Sequence, residues 1–152
     1  MDTLIIFGAK YFFVLPVVII VIYFLFSSRK WGMAVFGIAD LVLTYAIGKA
    51  LNHLIMDPRP FVVGHFTPLI PHAPDNGFPS DHTLLTAALA GIVFCYNRTL
   101  GILMYVLAIL IGASRVLAGV HHAEDIIGSL VIAVISTWII YMLTRKRLAL
   151  SV

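Results

Sequence analysis

The chain has 152 residues, of which 61% are hydrophobic and 11% are charged, with a mean hydropathy of +1.04. A soluble domain of this length needs far more polar surface to cover its core, so the composition excludes that class and indicates an integral membrane protein. The formal net charge of +3 is small and scattered, and it gives no indication of nucleic-acid binding.

Five apolar segments each approach the roughly 20 residues that an α-helix needs to cross a bilayer core. They cover residues 3–26, 32–56, 80–97, 99–120 and 122–144. Pro16 lies inside the first segment, where it predicts a kink. That segment lacks the basic start and the cleavage site of a signal peptide, so it is expected to be a mature span. The expected fold is one all-α domain, residues 1–152, with a bundle of about five transmembrane helices.

The basic residues predict how this bundle is oriented, because cytoplasmic loops of membrane proteins carry an excess of Lys and Arg. Basic residues follow the first, third and fifth spans: Arg29, Lys30, Arg98, Arg145, Lys146 and Arg147. Five spans place all of them on one side, which is therefore expected to be cytoplasmic. The N-terminus, the long loop at 57–79 and the turn near His121 are then expected to face outward from the plasma membrane.

Polar residues concentrate at the outward end of the expected bundle. All six histidines fall between residues 53 and 122, and six of the seven prolines fall between residues 58 and 79. Loops longer than about twelve to fifteen residues without secondary structure are usually functional. The loop at 57–79 is therefore expected to be a proline-braced cover over a polar site.

The first polar segment runs from Asp57 to Pro60, at the outer end of the second span. Pro58 and Pro60 restrict the backbone on both sides of Arg59 and end the helix there. An arginine held in this way presents a planar fork that suits phosphate oxygens. The alternative interpretation is an interfacial arginine that contacts lipid headgroups.

The second polar segment covers residues 78–83 and opens the third span. Ser80 is a suitable N-cap, and the free backbone N–H groups of the first helical turn form an anion site. His82 lies one or two residues into this helix, where a general acid for a leaving oxygen is needed. Alternatively, Ser80 and Asp81 only cap the helix and His82 is an interfacial side chain.

The third polar segment covers residues 114–125, from the end of the fourth span to the start of the fifth. Arg115 lies near the end of an apolar span, where an unpaired charge is costly and usually functional. His121 and Asp125 are four residues apart, so they share a face if the stretch is helical. A carboxylate there can hold one imidazole nitrogen as N–H and leave the other as a nucleophile. The alternative is a set of polar residues that cap a turn.

The topology places all three segments on the same side of the membrane. They bring together two arginines, a helix N-terminus, two histidines and a carboxylate. This set of groups suits phosphoryl transfer without a metal or another cofactor. The arginines and N–H groups stabilise the equatorial oxygens, one imidazole attacks, and the other protonates the leaving group.

The three segments resemble the three signature motifs of the type 2 phosphatidic acid phosphatase superfamily. The third motif is Ser-Arg, five residues, His, three residues and Asp, and it is matched by Ser114, Arg115, His121 and Asp125. The second is Pro-Ser-any-His, and it is matched by Pro79, Ser80 and His82. The first is Lys, six residues and Arg-Pro, and it is matched only at Arg59 and Pro60.

The resemblance implies a role for each matched residue. His121 would be the nucleophile, Asp125 its orienting partner, and His82 the acid that later activates water. Phosphate would be bound by Arg59, Arg115 and Ser80.

The departure from the family pattern lies in the first motif, where the family lysine is replaced by Asn52. Asn52 can still donate a hydrogen bond to phosphate. Lys49 is one helical turn deeper on nearly the same face, and it either extends upward to the site or pairs within the bundle. Asp81, where many relatives have glycine, adds negative charge near the phosphate site.

Within that superfamily, the short chain, the form of the second motif and the run at 58–61 most resemble bacterial undecaprenyl-diphosphate phosphatases. That resemblance implies hydrolysis of a polyprenyl diphosphate through a phosphohistidine, at the outer membrane–water interface, in cell-wall biogenesis. The same mechanism could act on phosphatidylglycerophosphate or phosphatidic acid.

Other classes also stay open: a non-catalytic lipid-binding protein, or a metal-binding membrane protein or transporter. The metal class would draw its ligands from His72, His121, His122, Glu124 and Asp125. The sequence does not indicate an oligomeric state.

Overall fold

The computed structural model describes residues 1–148, which form seven helices. They are α1 (Asp2–Lys10), α2 (Val14–Phe26), α3 (Lys30–Leu54), α4 (Pro60–Val63), α5 (Asp81–Phe94), α6 (Arg98–Leu117) and α7 (Ala123–Leu148). This part of the chain contains no β-strand, only an isolated antiparallel bridge between Pro58 and Asn76. Every predicted apolar segment is mainly helical, which confirms the all-α architecture.

The helices differ in whether they are long enough to cross a bilayer. α3, α6 and α7 are long and apolar enough to do so alone, and α1 with α2 forms a fourth stretch that is bent by 44°. α5 has 14 residues, so it extends about 21 Å against a bilayer core of roughly 30 Å. By length the described chain therefore has three or four spanning helices and a shorter α5, instead of five full-length spans.

The first predicted span is broken at residues 11–13 instead of continuing as one kinked helix. Pro16 lies in the first turn of α2, where its missing N–H is tolerated. Its ring conflicts with a helical carbonyl four residues earlier, at Phe12, so the disruption falls about one turn before the proline. The break brings the Ala9 carbonyl within 3.0 Å of Arg115 Nη1, and the Phe13 ring within 4.9 Å of the His82 ring.

α5 lies at the centre of the bundle and packs against α3, α6 and α7. Most of its residues are buried, and several are small: Ala87, Ala88, Ala90 and Gly91. Small side chains allow transmembrane helices to approach closely. Gly101 of α6 also permits a close approach, because a Cβ atom there would collide with the backbone of Phe94. This close packing fixes the N-terminus of α5 relative to the C-terminus of α6, where the polar residues lie.

Candidate active site

The polar end of the bundle is closed by the segment between α3 and α5, which one asparagine ties to the end of α3. Asn76 Nδ2 donates to the carbonyls of Asn52 and Ile55 at 2.6 and 2.7 Å. Its Oδ1 accepts from the N–H of Asp57 at 2.8 Å. The N–H of Gly77 also donates to the carbonyl of Asp57 at 2.8 Å. These contacts hold the loop against the helix ends.

His121 and Asp125 form a buried pair at the turn between α6 and α7. His121 Nδ1 lies 3.0 Å from Asp125 Oδ2, and the two side chains are 2% and 0% exposed. An ionised carboxylate only accepts hydrogen bonds, so Nδ1 carries the proton and Nε2 keeps its lone pair.

The pair forms for a different local reason from the helical spacing that predicted it. α7 begins at Ala123, so His121 precedes the helix instead of sharing its face with Asp125. Asp125 is the third residue of α7, and its Oδ2 also accepts the backbone N–H of His122 at 2.9 Å. An acidic side chain at this position commonly turns back to the start of its helix. The same turn brings it to the imidazole of His121.

Arg59 connects the loop to this pair through all three guanidinium nitrogens. Nε donates to Asp75 Oδ1 at 2.7 Å, and Nη2 donates to the carbonyl of Asn76 at 3.4 Å. Nη1 donates to the carbonyl of Val120 at 2.8 Å and lies 3.2 Å from His121 Nε2. The Arg59 guanidinium therefore lies directly next to the lone pair of the His121 imidazole.

The electrostatic environment keeps His121 neutral. Burial, reinforced by the positive charges of Arg115 and Arg59, lowers the pKa of His121 from its ordinary 6.5 to about 3. Burial opposes the ionisation of Asp75, but the hydrogen bond and the positive charge of Arg59 together outweigh it, so the pKa of Asp75 is lowered. At pH 7 the imidazole is thus an unprotonated base that faces positive charge, an arrangement suited to an anionic electrophile.

Arg115 and the N-terminus of α5 belong to the same end of the bundle. Arg115 is 3% exposed, its Nη1 donates to the Ala9 carbonyl, and its Nε has no hydrogen-bond partner in the described chain. Ser80 is the N-cap of α5, but its hydroxyl accepts from Thr83 Oγ1 at 3.2 Å instead of capping a backbone N–H. The N–H groups of the first turn therefore stay available to an anion.

His82 follows Asp81 in the first turn of α5, and its ring packs edge-on against Phe13, with 4.9 Å between centroids. Among the described residues no hydrogen bond joins His82 to His121. The two predicted catalytic histidines therefore lie at the same end of the bundle without direct contact.

Lys49 and Asn52 line a polar cleft beside Arg59, together with Asp75, Asn76 and Asp81. Asn52 Nδ2 donates to the Phe78 carbonyl at 2.6 Å, so it supports the loop before α5. The Lys49 ammonium lies 5.6 Å from the centroid of the Tyr45 ring. Both residues line the cleft beside Arg59, and no hydrogen bond in the described part of the chain joins either of them to the His121–Asp125 pair.

His122 differs from its neighbour in burial and in partners. Its side chain is 36% exposed, and its Nε2 lies 3.2 Å from the carbonyl of Pro58 and 3.9 Å from Asp57 Oδ1. Among residues 1–148 no three His, Cys, Asp or Glu side chains are grouped as metal ligands. The metal-binding alternative therefore rests on sequence alone.

Three loop residues at the site lie outside the set predicted for a phosphatase: Asp75, Asn76 and His72, the last of which was a candidate only as a metal ligand. Asp75 and Asn76 hold Arg59 and the loop, and the His72 ring lies 6.1 Å from the His121 ring. The proline-rich composition indicated that the loop covers the site, but no motif or spacing singled out these side chains.

Residues 33–149 match the model of the PAP2 superfamily, and this range contains all three polar segments. The chain belongs to the PAP2 superfamily. The family resemblance drawn from the motifs is thereby confirmed. As a PAP2 protein with several helices long and apolar enough to cross a bilayer, it is an integral membrane protein.

The chain is similar to named PAP2 relatives over most of its length. It is 36% identical over 140 residues to undecaprenyl-diphosphatase BcrC of Bacillus subtilis (strain 168), covering 89% of this chain and 70% of that protein. It is 33% identical over 137 residues to the putative undecaprenyl-diphosphatase YbjG of Escherichia coli (strain K12), covering 89% and 69%. The crystal structure of Aquifex aeolicus LpxE matches 93% of this chain and 87% of its own, with a TM-score of 0.75 and 21% identity. That last similarity shows the shared helical fold.

Proposed function

We propose that this PAP2 protein is a membrane lipid phosphatase that hydrolyses a polyprenyl diphosphate to the monophosphate. The observation that carries the proposal is the buried His121–Asp125 pair, whose free imidazole nitrogen faces Arg59 at 3.2 Å. A neutral imidazole surrounded by guanidinium groups suits attack on an anionic phosphorus centre. The 36% identity to an undecaprenyl-diphosphatase supports a polyprenyl diphosphate as the substrate class.

In the first step, the lone pair of His121 Nε2 forms a bond to the terminal phosphorus, and the bond from that phosphorus to the bridging oxygen breaks. The bridging oxygen leaves with the lipid monophosphate and accepts a proton from His82, which the negative charge of the bound diphosphate holds in its protonated form. Asp125 keeps the proton on Nδ1 and stabilises the positive charge that develops on the ring. The intermediate is a phosphohistidine at His121.

In the second step, water hydrolyses this intermediate. His82, now neutral, takes a proton from the water while the water oxygen attacks phosphorus. The bond between phosphorus and Nε2 breaks, its electron pair returns to Nε2, and inorganic phosphate leaves. His82 gives one proton in the first step and regains one in the second, so the protein returns to its starting state.

Arg59 has to exchange one hydrogen bond before attack occurs. Its Nη1 lies 3.2 Å from His121 Nε2, at the lone pair of that nitrogen. A charged phosphate oxygen is the stronger acceptor, so substrate draws this N–H to itself and frees the nucleophile. Arg115, the α5 N-terminus at Ser80 and, from the adjoining cleft, Lys49 and Asn52 bind the remaining phosphate oxygens.

The basic residues at the ends of the first, third and fifth segments support an outward-facing site and a cytoplasmic C-terminus. In this proposal residues 1–152 form one phosphatase domain that needs no metal or other cofactor. A phosphatase at the outer surface suits the recycling of a polyprenyl carrier released during cell-wall assembly.

A lipid panel tests the substrate assignment. We expect purified protein to release phosphate faster from undecaprenyl diphosphate than from phosphatidylglycerophosphate or phosphatidic acid. The diphosphate has the better leaving group, and the site holds two or more cations for its charge. EDTA is expected to leave the rate unchanged, and vanadate is expected to inhibit it.

Each contrary result of that panel has its own meaning. Faster hydrolysis of phosphatidylglycerophosphate or phosphatidic acid would retain the mechanism and replace the substrate. Loss of activity with EDTA would favour the metal-binding alternative. Release from none of the three lipids would contradict the proposed function.

A further inference from the structure

His72 is a titratable residue at the site that lies outside all three sequence motifs. It belongs to the loop between α4 and α5, directly after Pro71. Its ring is edge-on to the ring of His121, with 6.1 Å between centroids and an interplanar angle of 77°. Its side chain is 23% exposed, so it is largely enclosed but accessible to water.

The loop holds His72 in place on both sides. Before it, the N–H of Leu69 donates to the carbonyl of Ala118 at 3.0 Å, which joins the loop to the end of α6. After it, Asp75 accepts the 2.7 Å hydrogen bond from Arg59. The backbone therefore sets the position of His72 close to the reacting groups.

The ring of His72 has bonding capacity that the protein itself does not use. Nδ1 lies 3.3 Å from the carbonyl of Ala73 and 3.9 Å from Asp75 Oδ1. Within residues 1–148, no hydrogen bond involves Nε2. The Nε2 nitrogen is therefore available to bind a further group.

We propose that His72 is a third histidine of the reaction centre, which donates a hydrogen bond to an oxygen of the phosphoryl group transferred to His121. The inference rests on the phosphatase activity proposed above. A centroid separation of 6.1 Å places the His72 ring within hydrogen-bonding reach of an oxygen on a phosphoryl group bound to His121. The bond strengthens as negative charge develops on that oxygen, so it favours the transition state over the bound substrate.

The charges around His72 favour the neutral ring until an anion binds. Burial and then Arg59 lower the pKa of His72, the Ala73 carbonyl opposes them, and Arg115 and Asp75 have smaller, opposite effects. His82 and His121 also interact electrostatically with the ring; Arg115 acts on both of them, and Arg59 acts on His121. A phosphate dianion offsets the guanidinium charges, so its binding favours the protonated ring, which donates from both nitrogens.

Two substitutions separate hydrogen bonding from packing. His72→Gln keeps an N–H donor and loses the ring, whereas His72→Phe keeps the ring and loses the donor. We expect His72→Phe to lower kcat/KM for undecaprenyl diphosphate by about 10- to 100-fold, the usual effect of losing a hydrogen bond to a charged group. His72→Gln is expected to stay within about fivefold of the wild-type value. The inhibition constant for vanadate should rise with His72→Phe by a similar factor.

His53→Phe is the matched control, because it makes the same change at an exposed histidine near the end of α3. Its kcat/KM is expected to equal that of wild type. An active His72→Phe variant beside an impaired His72→Gln variant would show that the ring only packs, and would overturn the proposal. Equal losses in both variants would overturn it as well.

Wild-type protein and His121→Ala, measured in the same assay, separate this proposal from the proposed function. Wild-type protein that releases no phosphate from the lipid would contradict both. An active wild type, an inactive His121→Ala and a His72→Phe variant with the wild-type rate would contradict the role of His72 alone.

Discussion

His121→Ala is expected to slow phosphate release from a polyprenyl diphosphate by at least about 10⁴-fold, because it removes the nitrogen that bonds to phosphorus. No other histidine in residues 1–148 is paired with a fully buried carboxylate, so none can replace it. Initial rates with purified protein in detergent or in vesicles measure the effect. Retained membrane insertion and an unchanged elution profile would show that the loss is chemical.

His122→Ala is the matched control for this substitution. The two histidines are adjacent, but His122 is partly exposed and contacts the carbonyl of Pro58 instead of a buried carboxylate. We expect His122→Ala to retain activity within a few-fold of wild type. Equal losses in the two variants, or a loss in His122→Ala alone, would refute His121 as the nucleophile.

Arg59→Lys is expected to have the second largest effect, a fall in kcat/KM of about 10²- to 10³-fold, as when one transition-state donor is removed. Arginine uses a planar fork to reach Asp75, the carbonyls of Asn76 and Val120, and His121 at once. A lysine ammonium is a compact point charge that cannot span these positions. Vanadate affinity should fall with the rate, because the anion loses the planar fork. Thermal stability should fall as well, because buried acceptors lose their hydrogen-bond donors.

Arg98→Lys controls for the change of side chain alone. Arg98 begins α6 at the end remote from Arg115, and its guanidinium lies 6.0 Å from the centroid of the Phe94 ring. This variant is expected to hydrolyse substrate at the wild-type rate. If Arg59→Lys did the same, charge alone would suffice at that position, and the proposed role of the fork would be wrong.

The helices and the three polar segments can be predicted from sequence because each depends on neighbouring residues. Apolar runs of transmembrane length identify α3, α6 and α7, and the proline before Ser80 marks the start of α5. The proposed membrane orientation likewise follows from the positions of the Lys and Arg residues along the sequence. Three short motifs then suffice to propose the phosphatase family, because each has a fixed internal spacing.

The remaining features depend on contacts between distant residues. Arg59 and Asp75 are 16 residues apart, and the side chain of Asn76 bonds Asn52 across 24 residues. Neither contact follows a helical or strand period, so the sequence does not indicate it. The same limit applies to His72, whose position near His121 depends on where the loop is anchored.

Two structural details differ from regular helical geometry because tertiary packing or a helix end determines them. His121 and Asp125 meet through the first turn of α7 instead of along a helix face. α5 is shorter than a bilayer core because it lies inside the bundle, where neighbouring helices cover it. An apolar run does not distinguish a helix covered by protein from one covered by lipid.

Rapid-quench labelling of the intermediate tests the nucleophile directly. Substrate carrying an isotopic label in its terminal phosphate is mixed with protein, the reaction is stopped within one turnover, and the labelled peptide is identified by mass spectrometry. The label is expected on His121, and it should accumulate further in His82→Ala, because a phosphate leaving group depends little on protonation by His82 whereas hydrolysis of the intermediate loses the group that activates water. A label on another residue, or phosphate release by an active protein that is never labelled in either form, would contradict the phosphohistidine mechanism.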